Sequence, residues 1–184
     1  MYEIEYKVEI TREEREKLLK LFKEKGFKLK RITPQNDFYT EAEKSSFGGY
    51  DFKRYRNEDG KFIFTEKVWE KVGGEPVRKE SENELSKDEF ESIISKFPKA
   101  IKIKKDREWF AGSYKGKDIS VTIDTVKFDH SFGTRYFIEG EILSGDKSKV
   151  SELKGLIIEF LKESLNKKEI INAPNMFTMA FEKK

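Results

Sequence analysis

Hydrophobic and polar residues alternate from the first positions of the chain. In Met1–Ile10, Tyr2, Ile4, Tyr6, Val8 and Ile10 fall on one side and Glu3, Glu5, Lys7 and Glu9 on the other, the period of a β-strand with one buried face. The same alternation returns in Tyr50–Arg56, Lys61–Val68, Val77–Leu85, Ala100–Phe110, Ile119–Asp124 and Arg135–Leu143. A further strand starts near Phe27, is interrupted at Thr33-Pro34-Gln35-Asn36 and resumes over Asp37–Thr40, before a loop from Glu41 to Gly49. Turns are expected at Asn57-Glu58-Asp59-Gly60, at Gly73-Gly74 and across Gly112–Gly116, and a loop around Asp129 and His130.

Three stretches read as helices. Thr11-Arg12-Glu13-Glu14 is a capping box opening a helix through Leu18, Leu19 and Phe22 that stops at Gly26. Ser86-Lys87-Asp88-Glu89 is a second capping box, opening a short helix with Phe90, Ile93, Ile94 and Phe97 that Pro98 closes. Ser148–Asn166 is the longest, with Val150, Leu153, Ile157, Leu161 and Leu165 as its apolar stripe. The apolar run Met176–Phe181 predicts that the tail docks on the body. The pattern predicts an α+β fold of about eight antiparallel, mostly hairpin-joined strands and three helices. Length and the lack of any linker make residues 1–184 a single domain.

Composition narrows the chemistry. Charged residues make up 40% of the chain, yet 38 Lys and Arg against 35 Asp and Glu leave a net charge of only +3. Such a balance disfavours long nucleic acid as a partner. The absence of Cys and the single His exclude thiol nucleophiles, zinc-thiolate sites and multi-His metal sites. Any bound metal must therefore be held by oxygen, which favours Mg²⁺, Mn²⁺ or Ca²⁺. No leader and no long apolar run are visible, so a cytoplasmic, membrane-free protein is expected, a monomer or homodimer.

The polar faces of the strands are dominated by charge rather than by Ser, Thr, Asn and Gln. Acidic pairs stand at Glu3/Glu5, Glu80/Glu82 and Glu139/Glu141; basic pairs stand at Arg54/Arg56 and Lys105/Arg107, joined by Lys7, Lys67 and Arg78. Residues two apart on a strand face lie about 6–7 Å from each other, so Glu3 and Glu5 can share a divalent cation while Lys7 meets an anion. Helices with one apolar stripe must cover the apolar strand faces, which turns the charged faces toward the interior of a closed β-barrel. Interior charge is tolerable only when compensated by countercharge or ligand. A metal-bridged triphosphate, with about four negative charges, meets that condition.

These residues, in this order, resemble the CYTH superfamily of triphosphate tunnel metalloenzymes. Glu3-x-Glu5-x-Lys7 looks like its ExExK signature, and Asp37-Phe38-Tyr39 like its Asp-x-Tyr strand. Arg54-x-Arg56, Lys67, Arg78-x-Glu80, Lys105-x-Arg107, Ile123-Asp124 and Glu139-Gly140-Glu141 are similar to the family's later motifs. The resemblance implies an antiparallel eight-stranded β-barrel enclosing a tunnel, with flanking helices and a small triphosphate substrate. It implies Glu3, Glu5, Glu139 and Glu141 as ligands of Mg²⁺ or Mn²⁺, assisted by Glu80 and Asp124. Lys7, Arg54, Arg56, Lys67, Arg78, Lys105 and Arg107 would grip phosphate, and Glu3, Glu5 and Lys7 would form the catalytic strand.

Family activities include inorganic and thiamine triphosphatase, RNA 5′-triphosphatase and class IV adenylyl cyclase. The complete acidic pair Glu139/Glu141, and Met176-Phe177-Thr178 where the cyclases carry Ser-Tyr, favour hydrolysis of inorganic triphosphate or of a small organic triphosphate. ATP cyclisation and non-catalytic polyphosphate or nucleotide binding are the alternatives. Trp69 and Trp109, read as strand-end residues, are expected to serve packing, with stacking on an organic substrate as the sharper role.

Overall fold

The computed structural model describes residues 2–46, 50–72, 75–128 and 133–181, and of residues 2, 3, 70–72 and 75–78 the backbone alone. In chain order the elements are β1 (Tyr2–Ile10), α1 (Arg12–Glu24), β2 (Lys28–Lys44), β3 (Tyr50–Glu58), β4 (Lys61–Val72) and β5 (Glu75–Leu85). They continue with α2 (Lys87–Ser95), β6 (Ile101–Tyr114), β7 (Lys117–Phe128), β8 (Thr134–Ser144), α3 (Val150–Leu165) and α4 (Met176–Phe181). The strands form one antiparallel sheet ordered β1-β8-β7-β6-β2-β3-β4-β5. Among the described residues no helix is long and apolar enough to cross a membrane. The turn expected at Gly73-Gly74 and the loop residues Asp129 and His130 lie outside the described residues.

Three expectations about the elements change. β2 runs unbroken through Pro34, which has no N–H to give but whose carbonyl still accepts from the Asp59 N–H at 3.2 Å. β2 also continues to Lys44, across the first four of the nine residues of the expected loop, and absorbs one extra residue between Tyr39 and Glu41 as a bulge. Trp69 and Trp109 stand inside β4 and β6 rather than at strand ends. Both capping boxes form as the sequence predicts: Thr11 Oγ1 accepts from the Glu14 N–H and Glu14 accepts from the Thr11 N–H, and Ser86 and Glu89 repeat the exchange.

The chain divides into two compact units. The first comprises Met1–Thr33, Asp106–Val126 and Gly133–Pro174. Here α1 and α3 cover the apolar faces of β1, β8, β7 and β6. Leu18 and Phe22 from α1 and Leu153, Ile157, Phe160 and Leu161 from α3 join Ile4, Val8, Phe110, Ile119, Val121, Ile123, Ile138 and Ile142 in one core. Phe22 lies 5.1 Å from Phe27 and 5.3 Å from Phe110, ring centre to ring centre. Glu5, Lys7, Arg107, Asp124, Glu139 and Glu141 alternate with these core residues and so take the opposite face. Beside β1, Asn172 Oδ1 accepts from the Lys7 N–H at 3.2 Å and the Lys7 carbonyl accepts from the Ala173 N–H at 2.8 Å, which occupies that backbone edge.

The second unit comprises Pro34–Lys105, Lys127–Phe132 and Asn175–Lys184. Phe90 of α2 meets Phe38 and Phe62 on the outward faces of β2 and β4, at 5.7 and 4.8 Å. The docked tail is helical. Phe177 of α4 lies 5.3 Å from both Tyr39 and Phe52, which share their strand faces with Asp37 and Arg54. The tail therefore covers part of the charged face, not the outer one.

Gly140 sits between Glu139 and Glu141 on β8, and a Cβ there would lie 2.9 Å from Ile157 Cγ2 of α3. Gly140→Ala is expected to destabilise by about 1–3 kcal/mol, the cost of overpacking a filled core, although Ala suits strands better than Gly. Urea denaturation at constant m-value checks this.

Candidate functional site

Each unit carries a charged cluster on the strand faces opposite its helical cover, and strand register builds both. In the second unit, Asp37 stands directly opposite Arg56, Arg54 opposite Thr65, Thr65 opposite Glu82, and Lys67 opposite Glu80. Directly opposed side chains have Cβ atoms about 4.5–5.5 Å apart, within reach of ion pairs.

Asp37 is the hub of this cluster. It is 1% exposed, and Arg56 grips it with two hydrogen bonds, Nε to Oδ1 at 2.6 Å and Nη2 to Oδ2 at 3.0 Å. Lys105 Nζ approaches Oδ2 at 3.8 Å, and the Tyr39 hydroxyl donates to it at 3.5 Å. Burial pushes the Asp37 carboxyl toward its neutral form, but Arg56, Lys105 and Arg54 more than reverse this and hold its pKa far below the usual carboxylate range. Burial and the Asp37 charge push the Tyr39 phenol well above its ordinary value. Tyr39 is therefore a neutral donor.

Arg54, 8% exposed, donates from Nη2 to Thr65 Oγ1 at 2.9 Å and to Glu82 Oε1 at 3.2 Å. Thr65 donates in turn to Glu82 at 2.9 Å. Lys67 forms an ion pair with Glu80, whose pKa stays lowered against burial because of Lys67 and Arg54. Arg54, Arg56, Lys67, Lys105 and Glu80, all expected at the site, thus meet in one unit. The backbone of Arg78 pairs with Trp69; its side chain is outside the described residues.

In the first unit, Glu5 stands opposite Glu141 and Lys7 opposite Glu139. Lys7 Nζ lies 2.5 Å from Glu139 Oε2. Burial works against the Lys7 ammonium, but Glu139 and Glu5 outweigh it and leave the pKa raised. Arg107 donates to both oxygens of Asp124 at 2.7 Å and reaches Glu139 Oε1 at 3.8 Å. Lys7, Arg107, Asp124 and Glu139 are therefore one continuous network. The Glu3 backbone pairs with Leu143; its side chain is outside the described residues.

The carboxylates suit a hard divalent cation in type, being oxygen donors without Cys or His. Among the described residues no three Asp, Glu, His or Cys side chains converge as a ready cluster, because Glu139 and Asp124 face cations instead. The cross-strand pair Glu5/Glu141 does fit an ion, since like charges directly opposed are destabilising and a divalent cation reverses that sign.

Local sequence patterns do not single out two contributors. Asp37 is marked only by the family's Asp-x-Tyr pattern, without a role. Thr65 carries no charge to mark it, but its place two residues before Lys67 puts it on the charged face. Glu82, from one of the acidic pairs of the sequence, joins the cluster through Arg54 and Thr65.

Asp37→Asn removes a buried countercharge from beside Arg56 and Lys105 and is expected to cost about 3–5 kcal/mol. Because the native pKa of Asp37 is lowered, its stabilisation is fully present above the unfolded-state value near 3.9 and is lost as pH falls through the native value. The melting temperature of the wild type should therefore fall on acidification below about pH 4, and more steeply than that of Asp37→Asn. Thermal unfolding across pH 2–6 reads both.

Comparison with known proteins joins this geometry to a family. No curated protein sequence matches the chain. Among solved structures, the PH1819 protein from Pyrococcus horikoshii OT3 is similar over 100% of both chains, at 23% identity and a TM-score of 0.67. A candidate adenylate cyclase from Bacillus halodurans aligns over 97% of each chain, at 18% identity and TM-score 0.65. HpAC1 from Hippeastrum, a candidate adenylyl cyclase with a dominant triphosphatase activity, covers 100% of this chain with 97% of its own, at 15% identity and TM-score 0.63. These likenesses show the fold. The CYTH domain matches residues 1–170, nearly the whole chain, and the protein belongs to the CYTH domain family.

Proposed function

We propose that the chain is a divalent-metal-dependent triphosphatase acting on inorganic triphosphate or a small organic triphosphate. The observation that carries this reading is the pairing of each cation described in the two clusters, Lys7, Arg54, Arg56, Lys67, Lys105 and Arg107, with a carboxylate on another strand. Such pairs suit exchange of a protein carboxylate for a phosphate: guanidinium groups bind both ligands in the same bidentate geometry. Lys7, Arg54, Arg56, Lys67, Lys105 and Arg107, with Arg78, hold phosphoryl oxygens. Tyr39 and Thr65 add neutral donors.

Glu3, Glu5, Glu139 and Glu141 would hold Mg²⁺ or Mn²⁺, with Asp124 fixing Arg107 and Glu80 fixing Lys67. When bound, the ion neutralises developing charge on the phosphoryl oxygens. The acidic residues orient a water whose oxygen attacks the terminal phosphorus in line while the anhydride P–O bond breaks. Arg107 and Lys7 stabilise the charge on the group in transfer. The dominant triphosphatase activity of HpAC1 from Hippeastrum supports the same reaction class. The second reading is cyclisation of ATP to cyclic AMP and pyrophosphate, which the cyclase assignment of the Bacillus halodurans neighbour favours.

Orthophosphate release from inorganic triphosphate, ATP and thiamine triphosphate, with Mg²⁺, with Mn²⁺ and with chelator, tests the reading. Metal-dependent release is expected, and Glu5→Gln or Glu141→Gln should lower kcat/KM by about 10²-fold or more, the scale of losing one electrostatic contribution to the transition state. Cyclic nucleotide and pyrophosphate in place of orthophosphate would establish the second reading. No turnover of any substrate would sink both.

A further inference from the structure

The Arg56 guanidinium meets two carboxylates, not one. Asp37 takes Nε and Nη2, and Glu58 Oε2 lies 3.6 Å from Nη1, the remaining corner of the fork. Glu58 is itself held, because Gln35 Nε2 donates to the same Oε2 at 2.6 Å. Neither Gln35 nor Glu58 grips phosphate or metal in the proposed reaction.

Local structure fixes this second carboxylate. Glu58 ends β3, where register sets it directly opposite Gln35 of β2, two residues along the same faces from Asp37 opposite Arg56. β3 turns into β4 through Asp59-Gly60, whose φ angles of 49° and 84° are those of a type I′ hairpin. The same kind of turn, Lys115-Gly116 at 48° and 76°, joins β6 and β7. The Pro34 carbonyl accepts from the Asp59 N–H and Asn57 Oδ1 from the Gly60 N–H. The turn therefore sets the Glu58 backbone, and Gln35 sets its side chain.

Gln35 does so at a cost to stability. Only a donor can face a carboxylate at 2.6 Å, so Nε2 is turned to Glu58 and Oε1 away from it. The side chain is 1% exposed, and Oε1 is buried with no hydrogen-bond partner among the described residues. An unmet buried acceptor is destabilising, which an apolar side chain of the same length avoids. The benefit of the amide lies at Glu58.

Exchange of Asp37 for phosphate gives Glu58 its use. A phosphoryl group that displaces Asp37 from Nε and Nη2 also removes the contacts that orient the guanidinium. A long side chain left loose has rotamer entropy to lose on binding. A second carboxylate at Nη1 keeps the fork aimed while the first is exchanged. We propose that Glu58, held by Gln35, is a positioning residue that keeps Arg56 set for phosphate and touches no ligand itself. The ligand class rests on the triphosphatase reading; the Gln35–Glu58–Arg56 chain does not.

Isothermal titration of the full chain with sodium triphosphate, in chelator so that no metal contributes, separates positioning from charge balance by sign. A mere countercharge opposes the incoming anion, so Glu58→Gln would then tighten binding. Positioning predicts weaker binding instead, by about three- to tenfold, the scale of one hydrogen bond to a charged group. Gln35→Met changes no charge and removes the donor; it should weaken binding by a similar factor, with a melting temperature that holds or rises. Arg56→Lys keeps a positive charge beside Asp37 but has no fork to aim, and in that background Glu58→Gln should weaken binding no further.

Wild-type or tighter binding by Glu58→Gln would overturn the positioning role even if orthophosphate release proceeds. So would an equal weakening in the Arg56→Lys background, or a Gln35→Met protein that melts lower and binds as the wild type does. Weakening that depends on the Arg56 fork, without any wild-type turnover, would keep the role while the hydrolase reading falls. No binding of triphosphate by the wild type would remove the grip and the role together.

Discussion

A buried charge needs a countercharge within hydrogen-bonding reach, and much of this molecule follows from that requirement. Two helices can be held against β1, β8, β7 and β6 only if every second side chain is apolar. The remaining side chains are then committed to the other face. Once that face is shielded from water, its charges must answer one another across strands, as Asp124 answers Arg107 and Glu139 answers Lys7. Stability comes from the apolar face. The other face is held in balance, with Asp37 and Glu80 kept ionised by their cations.

That balance suits exchange better than a permanently empty cationic cavity would. A groove of unpaired guanidiniums would carry a large self-repulsion and bind any anion that came by. Here the protein's own carboxylates occupy the cations, so an incoming anion must offer better geometry or more charge than a carboxylate does. Phosphate offers both. Glu5 opposite Glu141 sets two like charges in register, beside the Lys7 ammonium whose pKa Glu5 helps to raise.

The architecture was legible because it rests on short-range rules. Alternation marked the strands and assigned their faces, and the two capping boxes fixed where α1 and α2 begin. The reading failed where a tertiary hydrogen bond overrode a local signal. Pro34 looked like a break, yet its carbonyl accepts the Asp59 N–H and the strand carries on. Asp37, three residues later, consequently read as the start of a fragment rather than as the centre of a long strand. Register was also out of reach. Nothing local in Glu5 or Glu141 shows that they face each other, and neither Thr65 nor Gln35 has a charge that would mark it among the ion pairs.

The tight turn at Lys115-Gly116 bears on the order in which these groups can meet. Closing a short loop loses little chain entropy, so Arg107 and Asp124 are brought together by a contact that forms quickly and locally. Asp37 and Arg56 are also near in sequence. The β1–β8 pairing, which aligns Lys7 with Glu139 and Glu5 with Glu141, has to close nearly the whole chain on itself. The Arg107–Asp124 and Asp37–Arg56 pairs are therefore kinetically cheap and the β1–β8 register is not, so these ion pairs are expected to form before Lys7 meets Glu139 when the unfolded chain refolds.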